Sequence, residues 1–184
     1  MDFSPTLAQC RVIFHKKLLD YGPTWLIFRW PSLIDQIFIK LSRLRALEES
    51  GGVRRVDDPP ADEYYGIINY CLIGLMKDEG QLPGEDHLLQ NPDALTELPS
   101  GNIMARYDDA AARALSLLDR KNHDYGEAWR GMAVSSITDQ MLIKVLRMKH
   151  ILGSGRAMDK DDDLPAQLMD VLNYCLFALA LTDI

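Results

Sequence analysis

The sequence predicts an all-α protein in which one helical unit has been duplicated. Residues 17–75 align with residues 121–179 without a gap, and 20 of these 59 pairs are identical, which indicates an internal repeat. Within each copy apolar residues recur at helical spacing, as at Leu33, Ile37 and Leu41. We therefore expect two three-helix units packed as a pseudo-twofold helical bundle.

The first helix of each copy is predicted over about residues 5–19 and about residues 105–123. Ser4 is a natural N-cap, and Pro5 suits the first helical position. Both copies then read Asp-Tyr-Gly. The glycine can adopt the left-handed conformation that ends many helices, so this motif has a structural explanation.

The second helix is predicted over about residues 32–49 and 136–152, and a Ser-Gly pair follows each. The third helix follows an acidic cap, DDPP in the first copy and DDDLP, which includes Asp161 and Asp162, in the second. It carries EYYGIINYCLIGLM or QLMDVLNYCLFALA. Such apolar runs predict central positions, and their length favours a helix over a buried strand.

Residues 79–104 are rich in glycine, proline and asparagine, which predicts a linker between a first repeat (1–78) and a second repeat (105–184). The linker is long enough for the second repeat to fold back on the first. The two would then form one compact pseudo-dimeric domain, present as a monomer or as a homodimer.

Composition limits the partners that the protein can have. The chain has 184 residues, 47% of them apolar, and a net charge of −7, which argues against broad binding to nucleic acid or to an anionic membrane. No signal-peptide pattern is seen, and three cysteines fit a reducing compartment, so we expect a cytoplasmic protein without a membrane partner. Cys71 and Cys175 are expected in the core.

A stripe of one amide and two cations lies on one face of the second helix in each copy. Its members are Gln36, Lys40 and Arg43 in the first copy, and Gln140, Lys144 and Arg147 in the second. Two cations beside an amide suit phosphate binding. The alternative is a solvated helix face, or ion pairs with Asp35 and Asp139.

Asp170 is the strongest single candidate for a functional residue, because a carboxylate on an otherwise apolar helix needs a partner or a metal. The first copy has Gly66 at the matching position. With Glu127 and Asp139, Asp170 forms the predicted catalytic set, and Asp139 and Asp170 are the predicted ligands of Mg²⁺ or Mn²⁺. The alternative is an Asp170 that pairs with a cation of the second helix and serves only packing.

Aromatic and polar residues near these acids complete the predicted substrate contacts in the second copy. Tyr125 and Trp129 are suited to stack on a nucleobase, although such aromatics also commonly close a loop over the core. Lys121 is a further candidate for a phosphate, and Asn173 lies three residues beyond Asp170 on the same helix.

The order Lys…Asp-Tyr-Gly…Trp, then Asp-Gln…Lys-x-x-Arg, then Asp-Val-x-Asn-Tyr resembles the bacterial and phage family called nucleotide modification associated domain 1. The resemblance spans each repeat, and DYGEAW and DVLNYC are its most specific parts. It implies a role in modified-nucleotide metabolism. The helical layout more distantly resembles the all-α nucleoside triphosphate pyrophosphohydrolases of the MazG type, which implies Mg²⁺-dependent release of pyrophosphate.

The paired acids of the MazG-type enzymes are incomplete in this sequence. The third helix offers Gln167-x-x-Asp170 and Glu63-x-x-Gly66, so each copy lacks one acid. We therefore expect a nucleotide-binding protein, with metal-dependent pyrophosphohydrolysis as the reaction that the resemblance implies. The alternative is a non-catalytic binding or scaffold protein whose repeated polar residues are structural.

Overall fold

The computed structural model describes residues 1–80, 82–91, 93–154 and 163–182, and within these residues the chain is helical without any strand. The α-helices are α1 (Ser4–Tyr21), α2 (Trp30–Glu49), α3 (Pro60–Asp78), α4 (Glu85–Gln90), α5 (Ala94–Glu97), α6 (Ser100–Tyr125), α7 (Val134–Ser154) and α8 (Leu164–Thr182). Two short 3₁₀ segments, Thr24–Ile27 and Ala128–Gly131, follow α1 and α6. The predicted all-α class is confirmed.

The order of elements repeats, because α1, α2 and α3 correspond to α6, α7 and α8. Helices α3 and α8 pack against each other in the centre, α2 packs against α7, and α1 and α6 flank the central pair. Cys71 and Cys175 are fully buried on α3 and α8, as predicted. By length and composition α8 could cross a membrane, but it has the burial of a core helix, with nine of its residues inside the protein.

The helix ends follow local chemistry. Gly22 and Gly126 have φ values of +65° and +60°, so the prediction that glycine ends the first helix of each repeat is confirmed. The prediction of Ser4 as N-cap is wrong by one residue, since Ser4 is the first helical residue and Phe3 occupies the cap position. The side chain of Asp2 accepts a hydrogen bond from the Ser4 backbone N–H, at 2.9 Å, and so satisfies one free donor of the first turn.

The connection between the repeats contains the short helices α4 and α5, and α6 begins at Ser100, before the predicted residue 105. Helix α4 packs against the 3₁₀ segment Thr24–Ile27 and buries Leu88. Of the acidic cap predicted before α8, Asp161 and Asp162 lie outside the described residues, while the Oδ1 of Asp163 accepts a hydrogen bond from the Ala166 backbone N–H, at 2.9 Å.

Candidate functional site

Each repeat has a pocket beside the end of its first helix. The first pocket lies between α1, the segment Thr24–Ile27, α2 and α3, and has a volume of about 880 Å³. The second pocket lies between α6, the segment Ala128–Gly131 and α8, and has a volume of about 360 Å³. Both volumes fall in the range of small-molecule sites, roughly 300–1,000 Å³.

The two pockets are built from equivalent residues. The second pocket is lined by Leu118, Lys121, Asn122, Tyr125, Ala128, Trp129, Met132, Asp170, Asn173, Tyr174 and Phe177. The residue 104 positions before each of these eleven lines the first pocket. Five of the eleven pairs are identical, and these are Lys17/Lys121, Tyr21/Tyr125, Trp25/Trp129, Asn69/Asn173 and Tyr70/Tyr174. Every identical pair carries a polar group, although other polar positions of the lining differ, as at Gly66 and Asp170.

The aromatic side chains of the pockets differ in their exposure to solvent. Trp129 is 5% exposed and stacks on Phe177, with ring centroids 4.7 Å apart. The indole N–H groups of Trp25 and Trp129 are both buried without a hydrogen-bond partner. Tyr21 and Tyr125, in contrast, are 70% and 74% exposed, so neither tyrosine serves to close the core.

Asp170 of the second pocket is held by two lysines. Its carboxylate oxygens lie 2.5 Å from the Nζ of Lys121 and 2.7 Å from the Nζ of Lys144. Burial acts to raise the pKa of the Asp170 carboxyl, but the hydrogen bonds and charges of the two lysines outweigh it, so the pKa is lowered. The alternative in which Asp170 pairs with a cation of the second helix is therefore what the structure shows.

The first repeat carries its acid one turn earlier on α3. Glu63 accepts a hydrogen bond from Lys40, at 2.9 Å, and its other oxygen contacts Arg43. The Lys40 side chain runs across Gly66, where a Cβ atom would lie 2.6 Å from the Cε of Lys40. As with Asp170, burial raises the pKa of the Glu63 carboxyl and the two cations more than reverse this effect. Lys40 and Arg43, both predicted to contact phosphate, are thus both in ion pairs. Of these two residues, Lys40 lines the first pocket and Arg43 does not.

The family model called nucleotide modification associated domain 1 matches the chain twice, over residues 17–77 and 121–181. The chain belongs to this family. Neither the curated proteins nor the solved structures contain a significant match to the chain. Each domain of the nucleotide modification associated family contributes the Lys, Tyr, Trp and Asn residues of one pocket, so the pockets belong to the repeated domain itself.

The predicted residues of the second domain fall into two groups. Lys121, Tyr125, Trp129 and Asn173 line the second pocket together with Asp170, and Lys144 contacts Asp170 from α7. Glu127, Asp139 and Arg147 line neither pocket. Glu127 instead pairs with Arg130 at 2.7 Å and with the chain's amino group, and these partners lower its pKa to about 2.

The described residues do not fit the expected site for Mg²⁺ or Mn²⁺. They contain no group of three or more acidic, histidine or cysteine side chains that could hold a metal ion. Asp139 is 59% exposed and lies 3.4 Å from Arg45, while both oxygens of Asp170 face lysines. The metal therefore stays a prediction.

Sequence reasoning named Lys40 and the aromatic pairs Tyr21/Tyr125 and Trp25/Trp129, but it did not predict a separate first pocket. This pocket is lined by Lys17, Tyr21, Trp25, Asn69 and Tyr70, whose counterparts make up most of the second pocket's polar lining. Their identity in the two copies was the signal that could have found the pocket. The acids carry no such signal, because they are where the two copies differ.

Proposed function

We propose that this protein of the nucleotide modification associated family binds nucleotides in its two pockets. The observation that carries the proposal is the set of five lining pairs that are identical in both repeats. They supply a cation, two tyrosines, a tryptophan and an amide at one place in each repeat. A base can stack on the aromatic groups and a phosphate can bind the lysine.

The exposed tyrosines support stacking. Tyr21 and Tyr125 stand at the rims of the pockets and leave most of their surface in water. Burial of apolar surface is the main contribution of a tyrosine ring to stability, and these two exposed rings contribute little in that way. Stacking of a base on such a ring is worth about 1–3 kcal/mol, which is enough to set affinity.

The lysines support an anionic ligand most clearly in the first pocket. Lys17 forms no ion pair within the described residues, although Asp58, Asp62 and Glu63 also line this pocket. Gly66 stands where the second repeat has Asp170. A phosphate near Lys17 would meet a cation that is not already neutralised. The second pocket has Lys121 as well, but Asp170 already binds it.

A scaffold role explains several repeated residues but not the exposed tyrosines at the pocket rims. Asp35 and Asp139 form ion pairs between the repeats, so their repetition is structural. An exposed tyrosine over a pocket with an unpartnered indole N–H has no such explanation.

Hydrolysis is supported less well than binding. The second pocket presents one carboxylate, and two lysines neutralise it. Metal-dependent phosphate chemistry, in contrast, needs carboxylates that are free to bind the metal.

The proposal is tested by isothermal titration with modified and unmodified nucleoside monophosphates and triphosphates. Tyr125→Ala and Tyr21→Ala should each weaken binding at one site about tenfold, the effect of losing roughly 1.4 kcal/mol of stacking. Leu146→Ala is the matched control, since Leu146 is also exposed, at 57%, but lies outside both pockets. Absence of binding across the panel would overturn the proposal.

Measuring pyrophosphate release with and without Mg²⁺ or Mn²⁺ tests hydrolysis separately.

A further inference from the structure

Among the residues that the structure describes, the amide group of Asn173 has no hydrogen-bond partner. The residue is 4% exposed, lines the second pocket, and neither its Nδ2 nor its Oδ1 makes a hydrogen bond. Buried polar groups in native proteins are nearly always paired, so an amide with two vacant positions is unusual. Its place in the lining of a pocket means that a bound molecule can supply the missing partners.

In the equivalent residue of the first repeat, Asn69, both polar atoms of the amide have a hydrogen-bond partner. The Oδ1 of Asn69 accepts a hydrogen bond from the Oη of Tyr107, at 2.7 Å, and its Nδ2 donates to the Cys10 carbonyl, at 3.2 Å. Tyr107 lies on α6 and therefore reaches Asn69 from the other repeat. The same asparagine thus has an internal partner in the first pocket and none in the second.

The alignment of the repeats relates Tyr107 to a residue that has no hydroxyl. The residue 104 positions before Tyr107 is Phe3, which likewise crosses to the other repeat. Its ring packs against Trp129 and Phe177, which line the second pocket, with centroids 5.9 and 6.0 Å apart. Phenylalanine cannot donate the hydrogen bond that Tyr107 donates to Asn69, so the alignment offers Asn173 no equivalent donor.

We propose that Asn173 reads the edge of a nucleobase in the second pocket, and that the first pocket does not read a base in this way. This inference rests on the proposed nucleotide binding. An asparagine amide presents one donor and one acceptor side by side, and the edges of nucleobases present adjacent acceptors and donors that match it. The nearby indole N–H of Trp129 is a second unpartnered donor in the same pocket.

Specificity is the expected consequence. A site with a buried hydrogen-bonding group rejects ligands that leave that group unpaired, far more strongly than an apolar pocket rejects a change of shape. The second pocket would therefore discriminate between bases. The first pocket, whose asparagine is occupied, would bind through stacking and charge and would be tolerant of the base.

The decisive variant is Phe3→Tyr, which places a hydroxyl where the first repeat has one. We expect it to raise the melting temperature of the free protein and to weaken nucleotide binding at the second pocket about tenfold or more. Asn173→Ala, a second variant that does not depend on fitting the new hydroxyl, should make the affinities of that pocket for nucleotides of the four bases nearly equal. Tyr107→Phe is the matched control, since it alters the first pocket's asparagine and should leave base preference at the second pocket unchanged.

The titration separates failure of this inference from failure of the proposed function. If the wild-type protein binds no nucleotide, the proposed function fails and the inference falls with it. If nucleotides bind but Asn173→Ala leaves the ratio of affinities among the bases unchanged, nucleotide binding stands and the reading role is wrong. If Phe3→Tyr stabilises the protein without weakening binding, the bound nucleotide makes no use of the amide and the inference is again overturned.

Discussion

Lys149 and Asp35 form an ion pair across the boundary between the repeats, with 2.6 Å between Nζ and Oδ1. Arg45 and Asp139, the residues that correspond to them, form the equivalent pair at 3.4 Å in the opposite direction. The alignment of the repeats converts each of these ion pairs into the other. A pseudo-twofold axis between the repeats produces this relationship. The relationship also gives Asp139, expected from the sequence to bind metal, a structural partner.

These ion pairs should contribute little to stability. The side chains of Asp35 and Asp139 are 55% and 59% exposed, and pairs in water typically contribute about 0–1 kcal/mol. Asp139→Asn should therefore lower the free energy of unfolding, measured in urea, by less than about 1 kcal/mol. If Asp139→Asn instead abolished a stabilisation by Mg²⁺ or Mn²⁺, Asp139 would be a metal ligand as the sequence suggested.

Asp170→Asn should destabilise the protein more, by about 2 kcal/mol, because it removes a carboxylate that two lysines share in a partly buried position. Denaturant unfolding at neutral pH measures the change. Asp139→Asn serves as its control, since the substitution is the same and the environment is exposed. Equal effects of the two variants would contradict the structural role assigned to the lysine pair.

The contribution of Asp170 should depend on pH in a defined direction. Its pKa in the folded protein is lowered from 3.8, so the folded state binds the proton less well than the unfolded chain does. The stabilisation is then complete above the unfolded pKa and is lost as the pH falls through the lower folded pKa. The difference in unfolding free energy between wild type and Asp170→Asn should be constant above pH about 5 and shrink below pH about 4. A difference that grew on acidification would refute the lowered pKa.

In the first repeat, an aspartate at position 66, which corresponds to Asp170, should be able to replace the carboxylate of Glu63. Glu63→Gln leaves Lys40 and Arg43 without their shared carboxylate and should cost about 2 kcal/mol. Adding Gly66→Asp should restore at least half of that loss, since Lys40 already lies over Gly66 and its flexible end can move aside. Gly66→Asn in the Glu63→Gln background is the control, because asparagine is close to aspartate in shape and helix propensity but carries no charge. Equal recovery by asparagine would show that the relocated charge contributes nothing.

The three cysteines should be unreactive in the native protein. Cys10, Cys71 and Cys175 are all 0% exposed, and burial raises the pKa of the Cys10 thiol to about 12. The thiolate is the reactive form, so neither access nor ionisation favours modification. A chromogenic thiol reagent should label no cysteine in buffer and all three in denaturant. Rapid labelling in buffer would contradict the packing of α1 against α3.

Much of the fold was predictable because it depends on local patterns. The helical period of Leu33, Ile37 and Leu41 placed α2, and the long apolar runs placed α3 and α8 in the centre. Helix ends were less predictable, because fraying and capping move them by a residue or two, as at Ser4.

The candidate site was only partly predictable because it forms between elements that are distant in sequence. Lys121 was expected to contact phosphate and Asp170 to bind metal, yet they pair with each other, since the end of α6 lies beside α8. The identity of Asn69 and Asn173 was visible in the sequence. Their different hydrogen bonding was not, because the partner of Asn69 is Tyr107, which lies outside the aligned segments and reaches across from the opposite repeat.

The central claim, that nucleotides bind in the two equivalent pockets, is tested most directly by the indole N–H signals of ¹⁵N-labelled protein during nucleotide titration. The chain has three tryptophans, of which Trp25 and Trp129 line the pockets and Trp30 does not. Binding in the pockets should shift the signals of Trp25 and Trp129, whose N–H groups have no protein partner, and leave that of Trp30 in place. Shifts confined to Trp30, or no shift with any nucleotide, would contradict the account.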